Sequence, residues 1–148
     1  MAFIRAIEIL RELIEEPESF PFTIAAIRAL DQLRLGQPIT FFVGDNGSGK
    51  STLLEAIAIA IGLNAEGGSR NLRFTQRQTE SELHRYLRVV REPVRERHAF
   101  FLRAEAMFNL ASAVEDKSLD GYGWELMHQK SHGEALLWLV QHRFTAHG

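Results

Sequence analysis

Residues Gly44-Asp45-Asn46-Gly47-Ser48-Gly49-Lys50-Ser51-Thr52 combine types and spacing suited to holding a polyphosphate. They satisfy the pattern G-x-x-x-x-G-K-[ST], in which each fixed position has a physical job. Glycines open backbone conformations closed to other residues and bring N–H groups close to an anion. Lys50 carries a point charge to the terminal phosphates, and the Ser51 hydroxyl suits one position of a Mg²⁺ shell. A helix starting at the loop aims its positive end at the same phosphates. The expected binding set is Gly44, Asn46, Gly47, Ser48, Gly49, Lys50, Ser51 and Thr52, with Ser51 on the metal. The other reading, a glycine-rich turn that matches by chance, is weakened by the flanks. Ile39-Thr40-Phe41-Phe42-Val43 is β-branched and aromatic, which predicts a buried strand, and Leu53-Leu54-Glu55-Ala56 begins a helix-forming stretch.

A guanine-reading Asn-Lys-x-Asp motif is absent from the chain. Asp120-Gly121-Tyr122-Gly123 fits D-x-x-G but follows the polar stretch 115–119, so it reads as a turn. A P-loop kinase of small molecules stays open on the loop alone. The full form G-x-N-G-S-G-K-S-T, however, resembles the loop of ABC-type ATPases, including their SMC/RecF branch. Ser131-His132-Gly133-Glu134, ahead of the apolar run 135–140, looks like the S-G-G-Q core of the ABC signature, with His for the first Gly and Glu for Gln. Ser-x-x-Glu before an apolar run is equally a helix capping box, and both readings hold together because a capped helix start is what an anion site requires.

Further stretches extend the resemblance along nearly the whole chain: Phe20-Pro21-Phe22, Ala26-Ile27-Arg28-Ala29-Leu30-Asp31, residues 64–71, Ser81-Glu82-Leu83-His84, and Phe100-Phe101-Leu102-Arg103-Ala104-Glu105. Together they are similar to small bacterial predicted ATPases of the AAA/ABC-like P-loop family. The resemblance implies an α/β fold, the N-terminal part of an ABC-like nucleotide-binding domain, with ATP and Mg²⁺ as cofactors. It makes Glu105 a candidate catalytic residue at the Q-loop position, though a surface glutamate is an equal reading. It gives Ser131, Gly133 and Glu134 a role in trans, gripping ATP held by a second copy in an ATP-dependent homodimer. It also implies that residues 1–148 form one incomplete domain. Relatives continue into an apolar Walker B strand ending in Asp-Glu, and this chain reaches His142-Arg143-Phe144 where that strand would begin. Those carboxylates hold Mg²⁺ and orient the attacking water. Without them the expectation is nucleotide binding without hydrolysis, with a partner completing the site as the alternative.

Composition sets the remaining bounds. A chain of 148 residues, 45% hydrophobic, makes one domain and buries about two-thirds of its unfolded surface. With no cysteine, disulfides and thiolate metal sites are excluded, which agrees with a cytoplasmic protein. The longest apolar run, Ala56 to Leu63, is far short of a membrane span, and charges at Arg5, Glu8, Arg11 and Glu12 argue against a signal peptide. From Arg70 to Arg103 nine arginines face four glutamates, a local excess that suits nucleic-acid phosphates or a solvated helix face. The net charge of −2 gives the nucleic-acid reading no support. His128 and His132 have zinc-like spacing but lack a third ligand.

Periodicity supplies the coarse layout. Ile4, Ile7, Leu10, Leu13 and Ile14 fit a helix, whereas the family resemblance makes residues 3–10 a first strand, and the latter is the expectation here. The stretch after the loop predicts a helix ending at Gly62. Thr79-Glu80-Ser81-Glu82 predicts a capped helix bearing the stripe Leu83, Tyr86, Leu87 and Val90, closed by Pro93. Residues 98–102 read as a strand, and Met107, Leu110, Ala111 and Val114 as another helix stripe.

Overall fold

The computed structural model describes residues 3–64, 68 and 69, 81–93, 99–102, 134 and 137. Strand β1 (Ile4–Ile9) lies between two antiparallel neighbours, β2 (Gln32–Arg34) and β4 (Leu87–Arg91). The first segment is therefore a strand, as the resemblance implied, and the helical spacing of its isoleucines is incidental. Its alternation settles the register. Ile7 faces Leu33 on one side and Val89 on the other, while Glu8 faces Gln32 and Arg88. Period-two alternation thus sends Ile7 and Ile9 into the core and Glu8 outward. Glu8 accepts hydrogen bonds from Gln32 Nε2 at 2.8 Å and from the Arg88 guanidinium, a polar ladder across all three strands.

Between β1 and β2 the chain makes a short 3-10 turn, Arg11–Leu13, and helix α1 (Ala25–Ala29). Arg11 ties the two together. Its guanidinium reaches the Asp31 carboxylate at 2.7 Å and the carbonyls of Ile27 and Leu30 at 3.2 and 2.9 Å, adding to the Leu30 N–H bond to Ile27 O at the C-terminal end of α1.

Helix α2 (Lys50–Ala60) follows the phosphate-loop motif. Leu53, Ala56 and Ile57 sit at i, i+3 and i+4 and are buried against the 3-10 helix Glu82–Tyr86 and β4. Its C-terminus closes as predicted. Gly62 takes φ 87°, Gly62 N–H donates to Ile59 O at 2.8 Å, and Leu63 N–H donates to Ala58 O at 2.9 Å. This paired reversal needs a left-handed residue, which glycine supplies without strain. Ile7, Ile9, Phe22, Ile27, Leu53, Ala56, Ile57, Leu83 and Leu87 form one contiguous core, with Phe22 meeting Tyr86 edge-on at 5.3 Å. A separate two-stranded ladder pairs β3 (Gly68–Ser69) with β5 (Phe100–Phe101), so the strand expected at 98–102 is present but short.

Two expectations need correction. The stripe from Leu83 to Val90 is no α-helix. A single 3-10 turn buries Leu83, and the chain then extends into β4, where Leu87 and Val89 face inward and Val90 faces out. The segment Ile39–Val43 is also no buried strand. It joins neither ladder, and only Phe42 packs against the core, because β2–β1–β4 does not extend to it. Of the remaining sequence expectations, Thr79 and Glu80, the 107–114 stripe, 120–123, and His128 and His132 lie outside the described residues. The described elements, helices with small antiparallel sheets, accord with an α/β domain. Among the described residues no helix is long and apolar enough to cross a membrane.

Candidate functional site

The loop between Val43 and Lys50 is suspended from two anchors. Phe42 fixes the incoming chain to the core, and α2 fixes the outgoing chain through Leu53, Ala56 and Ile57. Within it, Ser48 N–H donates to Asp45 O at 3.2 Å, folding Asn46 and Gly47 into an exposed turn. Gly49 then stands at the helix N-cap with φ 92° and ψ 6°, and no side chain caps α2. The first helical bond is Leu53 N–H to Gly49 O at 2.9 Å. Among the described residues nothing accepts from the amides of Lys50, Ser51 and Thr52. Three open donors at the positive end of an eleven-residue helix are the geometry that attracts an anion.

The backbone approaches closely on both sides of this opening. A Cβ placed on Gly44 would stand 2.9 Å from Ser48 Oγ, and one on Gly49 would stand 2.9 Å from Ile24 Cγ2. Gly49 is therefore set by space as well as by motif, whereas at Gly44 the Ser48 hydroxyl can rotate aside. Ile24 and Ile27, around α1, are the second wall of the loop. Sequence reasoning missed this wall, since an apolar residue more than twenty positions upstream carries no mark of its contact.

Lys50 spans the loop instead of extending into solvent. Its ammonium donates to Gly44 O at 2.7 Å, to Asp45 O at 2.6 Å and to Ser48 Oγ at 3.3 Å. An ammonium has three donors and no acceptor, so this arrangement employs all of them. The two carbonyl bonds are short, and the hydroxyl bond is the weakest. Arriving phosphate oxygens can compete for these protons, displacing the weak Ser48 bond first. Ser51 is exposed on the first turn of α2, and Thr52 is half-buried beside it. Among the described residues no group of three His, Asp or Glu side chains could hold a metal ion.

The structure thus brings Gly44, Asn46, Gly47, Ser48, Gly49, Lys50, Ser51 and Thr52 into one loop and helix start. Of the signature-like group, Glu134 is helical and exposed, whereas Ser131 and Gly133, like Glu105, lie outside the described residues. A further residue unmarked in sequence is Arg91 on β4, which donates to Ala60 O at 3.1 Å and so caps the far end of α2.

No curated protein and no solved structure matches the chain. The sequence pattern of the AAA domain family does match, over residues 20–115. That stretch runs from the turn before α1 through the phosphate loop, α2 and β4, and so contains both walls of the opening described above. The chain accordingly belongs to the AAA domain family, as a nucleotide-binding P-loop domain.

Proposed function

We propose that this chain holds Mg·ATP at the start of α2, with Lys50 on the β- and γ-phosphates and Ser51 completing the metal shell. The observation that carries this reading is the uncapped helix N-terminus with three open amides, beside a loop whose Gly44 and Asp45 carbonyls the Lys50 ammonium bridges. Gly44 and Gly49 allow the backbone to close around an anion, and Asn46, Gly47 and Ser48 form the turn over it. When bound, Mg²⁺ would neutralise phosphate charge. The chain's own groups orient the polyphosphate and shield it from one side.

Holding ATP is distinct from turning it over. Hydrolysis needs groups that bind the transition state better than the ground state, chiefly a carboxylate that positions water. The reading is an ATP-binding domain, with Glu105 as the candidate within the chain for the carboxylate that turnover would require.

Titration calorimetry with Mg·ATP tests the binding. Removing a charge-assisted contact of about 1.5–3 kcal/mol predicts a loss of roughly 10- to 150-fold in affinity for Lys50→Ala. Equal affinity in two folded proteins would defeat the reading. Phosphate release by the 148-residue chain should not exceed that of Lys50→Ala, and a clear Lys50-dependent rate would assign Glu105 or another side chain a catalytic role.

A further inference from the structure

The phosphate loop is held differently on its two sides. Polar bonds secure the first half, where Lys50 Nζ ties the carbonyls of Gly44 and Asp45, and Ser48 N–H returns to Asp45 O. At Gly49 the neighbours are apolar. The place of a Gly49 Cβ lies 2.9 Å from Ile24 Cγ2 and 3.5 Å from the Cδ1 atoms of Ile24 and Ile27, so both side chains pack where a substituent would stand. Glycine visits positive and negative φ with nearly equal ease, so the observed φ of 92° is not imposed by the residue itself. The wall behind it is firm. Ile24 is β-branched and stiff at χ1, and it packs against the core beside Ile27, which is almost wholly buried. Its backbone is bonded in both directions, from Ile24 N–H to Pro21 O at 3.1 Å and from Arg28 N–H to Ile24 O at 2.8 Å.

We infer that Ile24 is a positioning residue for the anion site: its Cγ2 methyl keeps Gly49 left-handed, and so keeps the amides of Lys50, Ser51 and Thr52 aimed together. The ψ of Gly49 orients the Lys50 N–H, the first of the three open donors, and the Gly49 carbonyl accepts the first bond of the helix that orders the other two. Ile24 needs no contact with the ligand to do this. It acts through the fraction of empty chains whose loop is already set for binding, and apparent affinity falls in proportion to that fraction. An unsupported glycine must have its backbone fixed on binding, a cost that corresponds to roughly 5- to 30-fold in affinity. The branch at Cβ is the specific requirement. Valine keeps both γ carbons. Leucine has one, so it either vacates the Cγ2 place or drives its branched end against Gly49. The role presupposes, as proposed above, that the loop binds a polyphosphate, but its effect on the empty loop can be read without ligand.

Calorimetry on the 148-residue chain reads affinity for Mg·ATP and for inorganic triphosphate with Mg²⁺, and amide NMR of the empty chain reads the loop. Far-UV circular dichroism confirms the fold of each variant. Ile24→Val should bind both ligands within about twofold of wild type, and Ile24→Leu and Ile24→Ala should bind both roughly 5- to 30-fold more weakly. The Lys50, Ser51 and Thr52 amide shifts of the empty chain should move in the leucine and alanine variants and hold in the valine variant. The inference is overturned if Ile24→Leu binds as well as Ile24→Val, since side-chain volume alone then suffices. It is equally overturned if the loss is confined to ATP, since Ile24 then touches the base or sugar, or if the amide shifts of the leucine and alanine variants do not move. If the wild type binds neither ligand, or Lys50→Ala binds as wild type does, the ATP reading fails and the amide shifts alone decide the role of Ile24.

Discussion

Replacing Gly49 by alanine should destabilise the protein by about 3 kcal/mol, in two parts that experiment can separate. The first part is conformational. At φ 92° and ψ 6° an L-side chain crowds its own backbone, which costs about 1–2 kcal/mol. The second is steric. The new Cβ would stand 2.9 Å from Ile24 Cγ2 and 3.5 Å from the Cδ1 atoms of Ile24 and Ile27. Cγ2 is bonded directly to the Cβ of a β-branched side chain, so it yields only by rotating a stiff χ1 or shifting α1. Overpacking of this kind adds about 1–3 kcal/mol. Gly47 is the natural comparator, because its φ of 80° demands the same backbone region while nothing lies within 4 Å of its Cβ direction. Gly47→Ala should show the first part alone. Urea unfolding followed by far-UV circular dichroism reads both. At a slope of about 2 kcal/mol/M, Gly49→Ala lowers the midpoint by about 1.5 M and Gly47→Ala by roughly half that. In an Ile24→Ala background the steric part disappears, so Gly49→Ala should then cost no more than Gly47→Ala. Equal midpoints for the two glycine variants, or an undiminished Gly49→Ala cost in that background, would refute the packing argument.

Arg11→Ala should lose about 2–3 kcal/mol, since it leaves the α1 carbonyls and Asp31 without their shared donor, and Arg11→Lys should recover less than half because an ammonium lacks the planar fork. Full recovery by lysine in urea unfolding would count against that account. Hydrogen bonds from Arg88, then from Gln32, hold the Glu8 carboxyl below its ordinary 4.5. A lowered folded value means that ionised Glu8 stabilises the fold above pH 4.5, and that this contribution is lost as pH falls through the folded value. Unfolding midpoints measured below pH 4.5 should therefore fall less steeply for Glu8→Gln than for wild type. An NMR titration placing Glu8 at or above 4.5 would contradict the ladder.

How far the sequence disclosed the molecule depends on where each signal resides. The phosphate loop is written locally, because a left-handed glycine, a bridging lysine and a helix start must be adjacent in the chain. The same holds for the end of α2, where Gly62 carries the reversal by itself. β1 was legible only through resemblance, since its isoleucines fit two periods and the decision belongs to β2 and β4, distant in sequence. Leu83, Tyr86, Leu87 and Val90 mimic a helical stripe because a 3-10 turn flows directly into a strand, joining two short patterns into one long false one. Ile39–Val43 has the composition of an interior strand, but a strand is interior only when neighbours flank it, and side-chain type says nothing about their presence.

Arg91 has a mechanical consequence. Helix α2 is a rod of about 16 Å, with the open amides at one tip and the carbonyl held by Arg91 at the other. For a rod, aim is an angle: sliding the held tip by 1 Å swings the axis by about 3–4° and turns all three amides together. Because Arg91 sits on β4, which is laced to β1 and rests its guanidinium over Phe3, the sheet sets that angle. The direction in which the loop faces an anion is thus set in part from the end farthest from it.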